Sequence, residues 1–283
     1  MHLITDPRCT QYHSQGHPER PSRIQTTVKK LKEQKEFSIS WEKPDPVSDE
    51  ILLRAHTADH LTRLKKAEDF DGDTPFHSGI DKIAQLAVGA SLASLRMGQD
   101  RKPVFSLMRP PGHHATQDRA MGFCYLNSMA ITILEALGSG TEKAVVFDFD
   151  VHHGNGTEAI LLDKPGCMYI SIHQYPGYPG TGTRHQGNCR NFTAPPGSSR
   201  AAYREELKKG LEELHKFNPD LIGVSAGFDA YTKDPLSQQQ LEAEDFHWLG
   251  EQLSGFKKPM FSLLEGGYSD DLPDLILAYL KGL

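Results

Sequence analysis

The chain has 283 residues, enough to bury one large core, and its prolines and glycines are dispersed rather than gathered into a linker, which predicts a single domain over 1–283. A net charge of −6 with scattered basic residues leaves no nucleic-acid footprint, and no apolar stretch approaches a membrane span. Four irregularly spaced cysteines, Cys9, Cys124, Cys167 and Cys189, exclude a disulfide scaffold and a Cys-type zinc site, and with no signal-like N-terminus the expected compartment is the cytoplasm.

Taken in chain order, apolar runs predict strands at His2–Thr5, Val104–Leu107, Lys143–Phe149, Met168–Ile172, Leu221–Ser225 and Met260–Leu264. Helical periodicity falls at Arg20–Glu36, Ser48–Arg54, Ala58–Lys66, Ile80–Met97, Asn127–Leu137, Ser199–Lys216 and Ala243–Leu253, with a further helix opening near Thr157. Strands followed by helices predict an α/β fold with a mostly parallel sheet covered on both faces. Ligands in such folds collect beyond the carboxyl ends of the strands. Five polar loops follow predicted strand ends: RPPGHHA, DVHHGNG, HQYPGYPGTG, GFDA and EGGY. Their convergence on one rim predicts one site.

The segment FDFDVHHGNGT, residues 147–157, places Asp148, Asp150 and His152 at two-residue spacing after an apolar run. Burying bare carboxylates is expensive, and a divalent metal relieves that cost. Asp229, in SAGFDA, comes to the same rim if its strand runs parallel. Asp150, His152 and Asp229 then form a borderline-to-hard ligand set suited to Zn²⁺, and also to Fe²⁺ or Co²⁺, with positions left for water and a carbonyl. The bland alternative makes Asp150 a helix cap and Asp229 a turn former. His113 and His114 follow a stiff Pro-Pro-Gly turn, where one can serve as general base and the other polarise or orient, or both can be solvated. Asp148 is the economical partner to set an imidazole tautomer. Tyr268, after Gly266 and Gly267, can donate to an oxyanion or simply pack. Phe123 after Gly122, and Tyr178 after Gly177, can form opposing walls of a slot for a slim acyl chain, with a core role for Phe123 as the alternative.

These motifs together resemble the histone deacetylase superfamily, including its bacterial acetoin-utilisation-type and amidohydrolase members. The matching elements are HPERPSRI (17–24), PPGHHA (110–115), GFCYLN (122–127), DFDVHHGNGT (148–157), HQYPGYPGTG (173–182), SAGFDA (225–230), DPL (234–236) and EGGY (265–268). The resemblance implies a three-layer α/β/α arginase-deacetylase-like fold with a tunnel leading to zinc. It implies Asp150, His152 and Asp229 as metal ligands, His114 as general base and acid, His113 as its electrostatic partner and Tyr268 as the carbonyl-polarising group. It pairs Asp148 with His113 and places a structural K⁺ or Na⁺ at the backbone near Asp148. Phe123 and Tyr178 take the place of the tunnel walls, and Arg20 that of an arginine in a cavity behind the metal. Asn155 stands where one branch carries Asp opposite the general base, which is the class II and bacterial pattern. Leu236 falls where polyamine-selective relatives carry a glutamate. In DGDT, residues 71–74, Asp71 or Asp73 can hold a substrate amide at the rim, with an ordinary turn as the alternative.

The implied activity is hydrolysis of an acetyl-lysine peptide or small acylated amine by metal-activated water. The alternatives are a small-molecule acyl-amide or ester hydrolase, a longer-chain deacylase, and, from another class, a non-catalytic acyl-binding protein on the same fold. An arginase-type guanidine hydrolase with two Mn²⁺ would need a denser set of bridging carboxylates than the loops offer.

Overall fold

Eight strands, all paired in parallel, form one sheet in a computed structural model that describes residues 1–283. They are β1 (His2–Ile4), β2 (Ser40–Glu42), β3 (Val104–Ser106), β4 (Ala144–Asp148), β5 (Cys167–Gln174), β6 (Cys189–Ala194), β7 (Leu221–Ala226) and β8 (Met260–Leu264). Their spatial order is β2-β1-β3-β8-β7-β4-β5-β6. The helices are α1 (Ser22–Glu33), α2 (Asp49–Leu52), α3 (Ala58–Arg63), α4 (Ile80–Gln99), α5 (Ser128–Gly138), α6 (Asn155–Leu161), α7 (Arg200–Phe217), α8 (Ala243–Ser254) and α9 (Leu272–Gly282). One sheet face carries α4 and α5. The other is covered by α7 and by the stacked set α8, α9 and α1. This is the three-layer α/β/α architecture expected of an arginase-deacetylase-like chain, and no helix is long and apolar enough to cross a membrane.

The central strands β3, β8, β7 and β4 are buried from both sides, so their sequences read as nearly continuous apolar runs and were legible as strands. Helix ends are set by local chemistry. The Ser199 hydroxyl accepts the Ala202 N–H at the start of α7, and Asn218, at φ 50°, turns the chain out of that helix. Glu242 and Asp245 close a capping box at α8.

Two strands and one α-helix lie outside the sequence expectations, as does a 3-10 turn at Pro7–Thr10. β2 is three residues long at one sheet edge, and β6, at the other, mixes Arg190, Asn191 and Thr193 into its run, so neither carries an apolar signature. α9 packs against both α8 and α1, and its one open face, with Asp274 and Lys281 exposed and Ala278 half-buried, is narrow beside its apolar run. β4 also stops earlier than expected. The Asp148 carboxylate accepts the Asp150 N–H and bends the chain, so Asp150 and His152 lie in the turn beyond the strand rather than alternating along it.

Candidate active site

Four neighbouring strands, β3, β8, β7 and β4, end on the same edge of the sheet, and the loops that leave them carry the site. Asp150 follows β4, and its two oxygens accept the backbone N–H groups of His152 (2.9 Å) and Gly266 (2.7 Å). Asp229 follows β7 and accepts the Val151 N–H at 2.8 Å. Each carboxylate is thereby held by main chain from a neighbouring loop. Ligand atoms of Asp150, His152 and Asp229 all lie within 4.8 Å of one another, with both carboxylates fully buried. A side chain at position 266 would drive a Cβ into both carboxylates, so only glycine fits beside them.

The electrostatics of this trio call for a cation. Burial opposes charge on both acids. Asp150 is nevertheless held well below the usual carboxylate range by His113 and His152, while burial and the neighbouring Asp150 charge push Asp229 up to about 7. His152 Nδ1 has carboxylate oxygens of both acids at 3.0 and 3.2 Å. One imidazole charge cannot balance two buried carboxylates, whereas a divalent ion bound between the three groups can. The residues present fit the implied metal.

Beside the trio, the loop after β3 sets two imidazoles 4.0 Å apart between ring centres. His113 Nδ1 lies 3.2 Å from Asp148, and that carboxylate also accepts the Tyr169 hydroxyl at 2.9 Å. Burial works against charge on His113, but Asp150 and Asp148 more than reverse this and lift it to about 10. His114 Nδ1 lies 2.8 Å from the Asn155 side-chain oxygen. Burial, followed by the positive fields of His113 and His152, holds His114 well below the ordinary histidine value. Two adjacent histidines thus have opposite proton affinities, a division suited to one base and one fixed charge.

Above them opens a cavity of about 380 Å³. Its floor holds His114, His152 and Tyr268, and its sides are Phe123, Tyr178 and Leu236. Gly122 also lines it, and a Cβ there would stand 2.5 Å from the His114 ring. Phe123 packs edge-on against Tyr268, and Tyr178 against His114. The Tyr268 N–H is held by Asp234 at 2.7 Å, and burial raises its phenol well above the ordinary tyrosine value, keeping it a proton donor. Asp73 reaches the cavity rim, and Asp71 does not line it. Asp71 instead accepts the Asp73 N–H at 3.0 Å and shapes the turn.

Arg20 departs from its expected place. Its guanidinium pairs with exposed Asp270 at the surface, because Arg20 precedes α1. The buried arginine of that motif is Arg23, in the first turn of α1, which donates to the carbonyls of Gly267 (2.7 Å) and Glu265 (2.5 Å) and lies over the Tyr268 ring. Arg109 and Glu19 pair in the same buried region. Glu265 was also overlooked, although it belongs to the EGGY motif. It is buried, accepts the N–H groups of Gly112 and His113 and the Ser225 hydroxyl, and so splints the histidine loop to β7. Burial pushes its carboxyl up to about 7 against the pull of the His113 charge. A carboxylate beside two glycines at a strand end was the available signal.

Comparison with known proteins agrees with this geometry. The sequence model of the histone deacetylase domain matches residues 17–282. An uncharacterised protein of Synechocystis sp. is 38% identical, over 94% of this chain and 92% of its own length. A histone deacetylase-like amidohydrolase of Pseudomonas aeruginosa is 36% identical, over 90% of this chain and 73% of its own. The crystal structure of acetylpolyamine aminohydrolase from Burkholderia pseudomallei superposes with a TM-score of 0.91 at 28% identity, covering 100% of this chain and 98% of that one. With a matching domain along nearly its whole length and the motifs of that domain gathered at one sheet edge, the chain belongs to the histone deacetylase family.

Proposed function

We propose that the chain is a metal-dependent deacetylase, one catalytic domain over 1–283, that hydrolyses the amide of acetyl-lysine or a similar acylated amine. The observation that carries this is the convergence of Asp150, His152 and Asp229 with His114 and Tyr268 at the floor of an aromatic-walled cavity. Zn²⁺, with Fe²⁺ as the alternative, held by Asp150, His152 and Asp229, supplies Lewis acidity that acidifies a water and polarises the acyl oxygen. The chain's own groups do the rest. Phe123 and Tyr178 sandwich the aliphatic stem and exclude water, and Asp73 accepts a hydrogen bond from a substrate amide at the rim. His114 is neutral and, with Nδ1–H donated to Asn155, presents Nε2 to take the proton of the attacking water. His113, charged between Asp148 and Asp150, favours the negative charge that develops. The Tyr268 hydroxyl donates to the oxyanion, and His114 returns its proton to the leaving amine. A structural K⁺ or Na⁺ belongs with the main chain around Asp148.

A second reading, an acylated polyamine as substrate, draws on the likeness to the Burkholderia enzyme. Leu236 at the cavity wall speaks against it, since it offers no charge to a second ammonium. The test is to titrate metal-stripped protein with Zn²⁺ while assaying acetyl-lysine peptide and acetylated polyamine in parallel. Peptide turnover should rise to a plateau at one metal per chain, and Asp229→Ala should bind no stoichiometric Zn²⁺. Faster polyamine turnover would replace the first reading by the second, and metal binding without turnover of either would sink both.

A further inference from the structure

The cavity wall that carries Phe123 follows an unusual backbone. Gly122 and Phe123 are both left-handed, at φ 56° and 70°, a region that a phenylalanine rarely occupies unless its surroundings hold it there. Thr74 Oγ1 accepts the Phe123 N–H at 3.1 Å. The His17 and Tyr268 rings and the paired backbone of Met121 and Cys124 also bound this segment. Further support comes from two histidines that are not among the candidate metal ligands: His56, just before α3, and His60, on it. Both are buried, and their rings lie side by side at a tilt of 32° with centres 4.8 Å apart. His56 Nε2 accepts the Asn127 N–H at 2.9 Å, while His60 Nε2 meets the Tyr125 carbonyl at 2.8 Å. Those two bonds fix the proton positions. His56 must be protonated on Nδ1 to accept at Nε2, and His60 must be protonated on Nε2 to donate. Neither Nδ1 makes a well-aligned hydrogen bond, although the main chain of Thr116 and Gln117 lies beside His56 and that of Asp118 beside His60.

We propose that His56 and His60 are positioning residues for the acyl-binding wall: a neutral pair of opposite tautomers that pins the Tyr125 carbonyl and the Asn127 amide and thereby holds Phe123 at the cavity. This rests on the reading of that cavity as the acyl slot. A second link runs through Asn127, whose side chain donates to the Ala115 carbonyl and to Thr157 Oγ1, so the same clamp steadies the segment just after His114. The argument is one of bond direction. An apolar replacement of His56 leaves a buried N–H without an acceptor, whereas a glutamine reaches the same place with an amide oxygen. At position 60 a glutamine presents an amide N–H instead.

The test compares His56→Leu with His56→Gln, and His60→Leu with His60→Gln, in the zinc-loaded protein. Two readouts are taken: backbone amide exchange over 121–127, and KM against kcat for acetyl-lysine peptide. Each Leu variant should speed exchange at Phe123 and Cys124, whose amides bond neither histidine, and raise KM about tenfold with a smaller change in kcat. Each Gln variant should stay within about threefold of the wild type. In a Phe123→Ala background, His56→Leu should add no further rise in KM. Faster exchange confined to Asn127, Gln variants as damaged as the Leu variants, or additive effects of His56→Leu and Phe123→Ala would overturn the clamp. Where a Leu variant does not fold, the Gln variants and the exchange pattern of the other histidine decide. Wild-type protein without turnover would sink the functional reading alone, and amide exchange would still decide the clamp.

Discussion

Single residues in this site are defined by what surrounds them more than by their type. Tyr268 is the clearest case, with its ring between Arg23 and Phe123, its N–H on Asp234 and its phenol kept protonated by burial. Tyr268→Phe keeps the ring and removes only the donor. Turnover of acetyl-lysine peptide should fall about 10²–10³-fold, or roughly 2.7–4 kcal/mol, with Zn²⁺ binding unchanged. Steady-state kinetics alongside a zinc titration checks this, and undiminished turnover would remove Tyr268 from the mechanism. The candidate metal set and the histidine pair were legible as clusters because they are concentrated in short motifs with few structural reasons to exist. Arg23 was not legible against Arg20. Both stand in HPERPSRI, and only the place where α1 begins decides which one turns inward.

At the scale of elements, the site depends on how helices and strands begin and end. α5 opens at Asn127, whose side-chain oxygen accepts the Ala130 N–H while its amide reaches Ala115 and Thr157. One side chain thus caps a helix and ties down the loop beyond His114. Asn127→Ala should destabilise the protein by about 1–2 kcal/mol from the cap alone, and by more through the buried groups left unpaired. Urea unfolding monitored by far-UV circular dichroism measures it, and an unchanged midpoint would show that the cap carries no weight. Sequence periodicity located the long helices and the central strands within a few residues. It passed over β2 and β6, where edge position removes the pattern, and over α9, whose exposed face is narrow.

For the molecule as a whole, acid acts through buried imidazoles distant in sequence. Burial lowers His56 and His173 to about 3 each, far below the value of about 6.5 expected in the unfolded chain. Between those values the unfolded state holds a proton that the native state refuses, so each group's contribution is complete above about pH 6.5 and is lost as pH falls toward 3. The slope is on the order of 1.4 kcal/mol per pH unit for each group. His56→Gln should therefore flatten the dependence of unfolding free energy on pH between 4 and 6 by about one proton. Urea titrations at several pH values would reveal this, and parallel slopes for the two proteins would refute it.

What the amino-acid order determined alone was the class of fold and the residue types on offer: apolar runs long enough to be buried on both sides, and polar motifs of Asp, His and Tyr, types able to bind a metal or move a proton, placed directly after them. Those are local properties, and a chain carries them before it folds. Only the tertiary structure decided which oxygen faces which nitrogen. The sheet order brings β8 between β3 and β7, and that adjacency places the Gly266 amide on Asp150 and Glu265 under the histidine loop, contacts that join positions 116 and 153 residues apart. Proton affinities followed from the same packing, because burial and neighbouring charge, not residue type, separate His113 from His114.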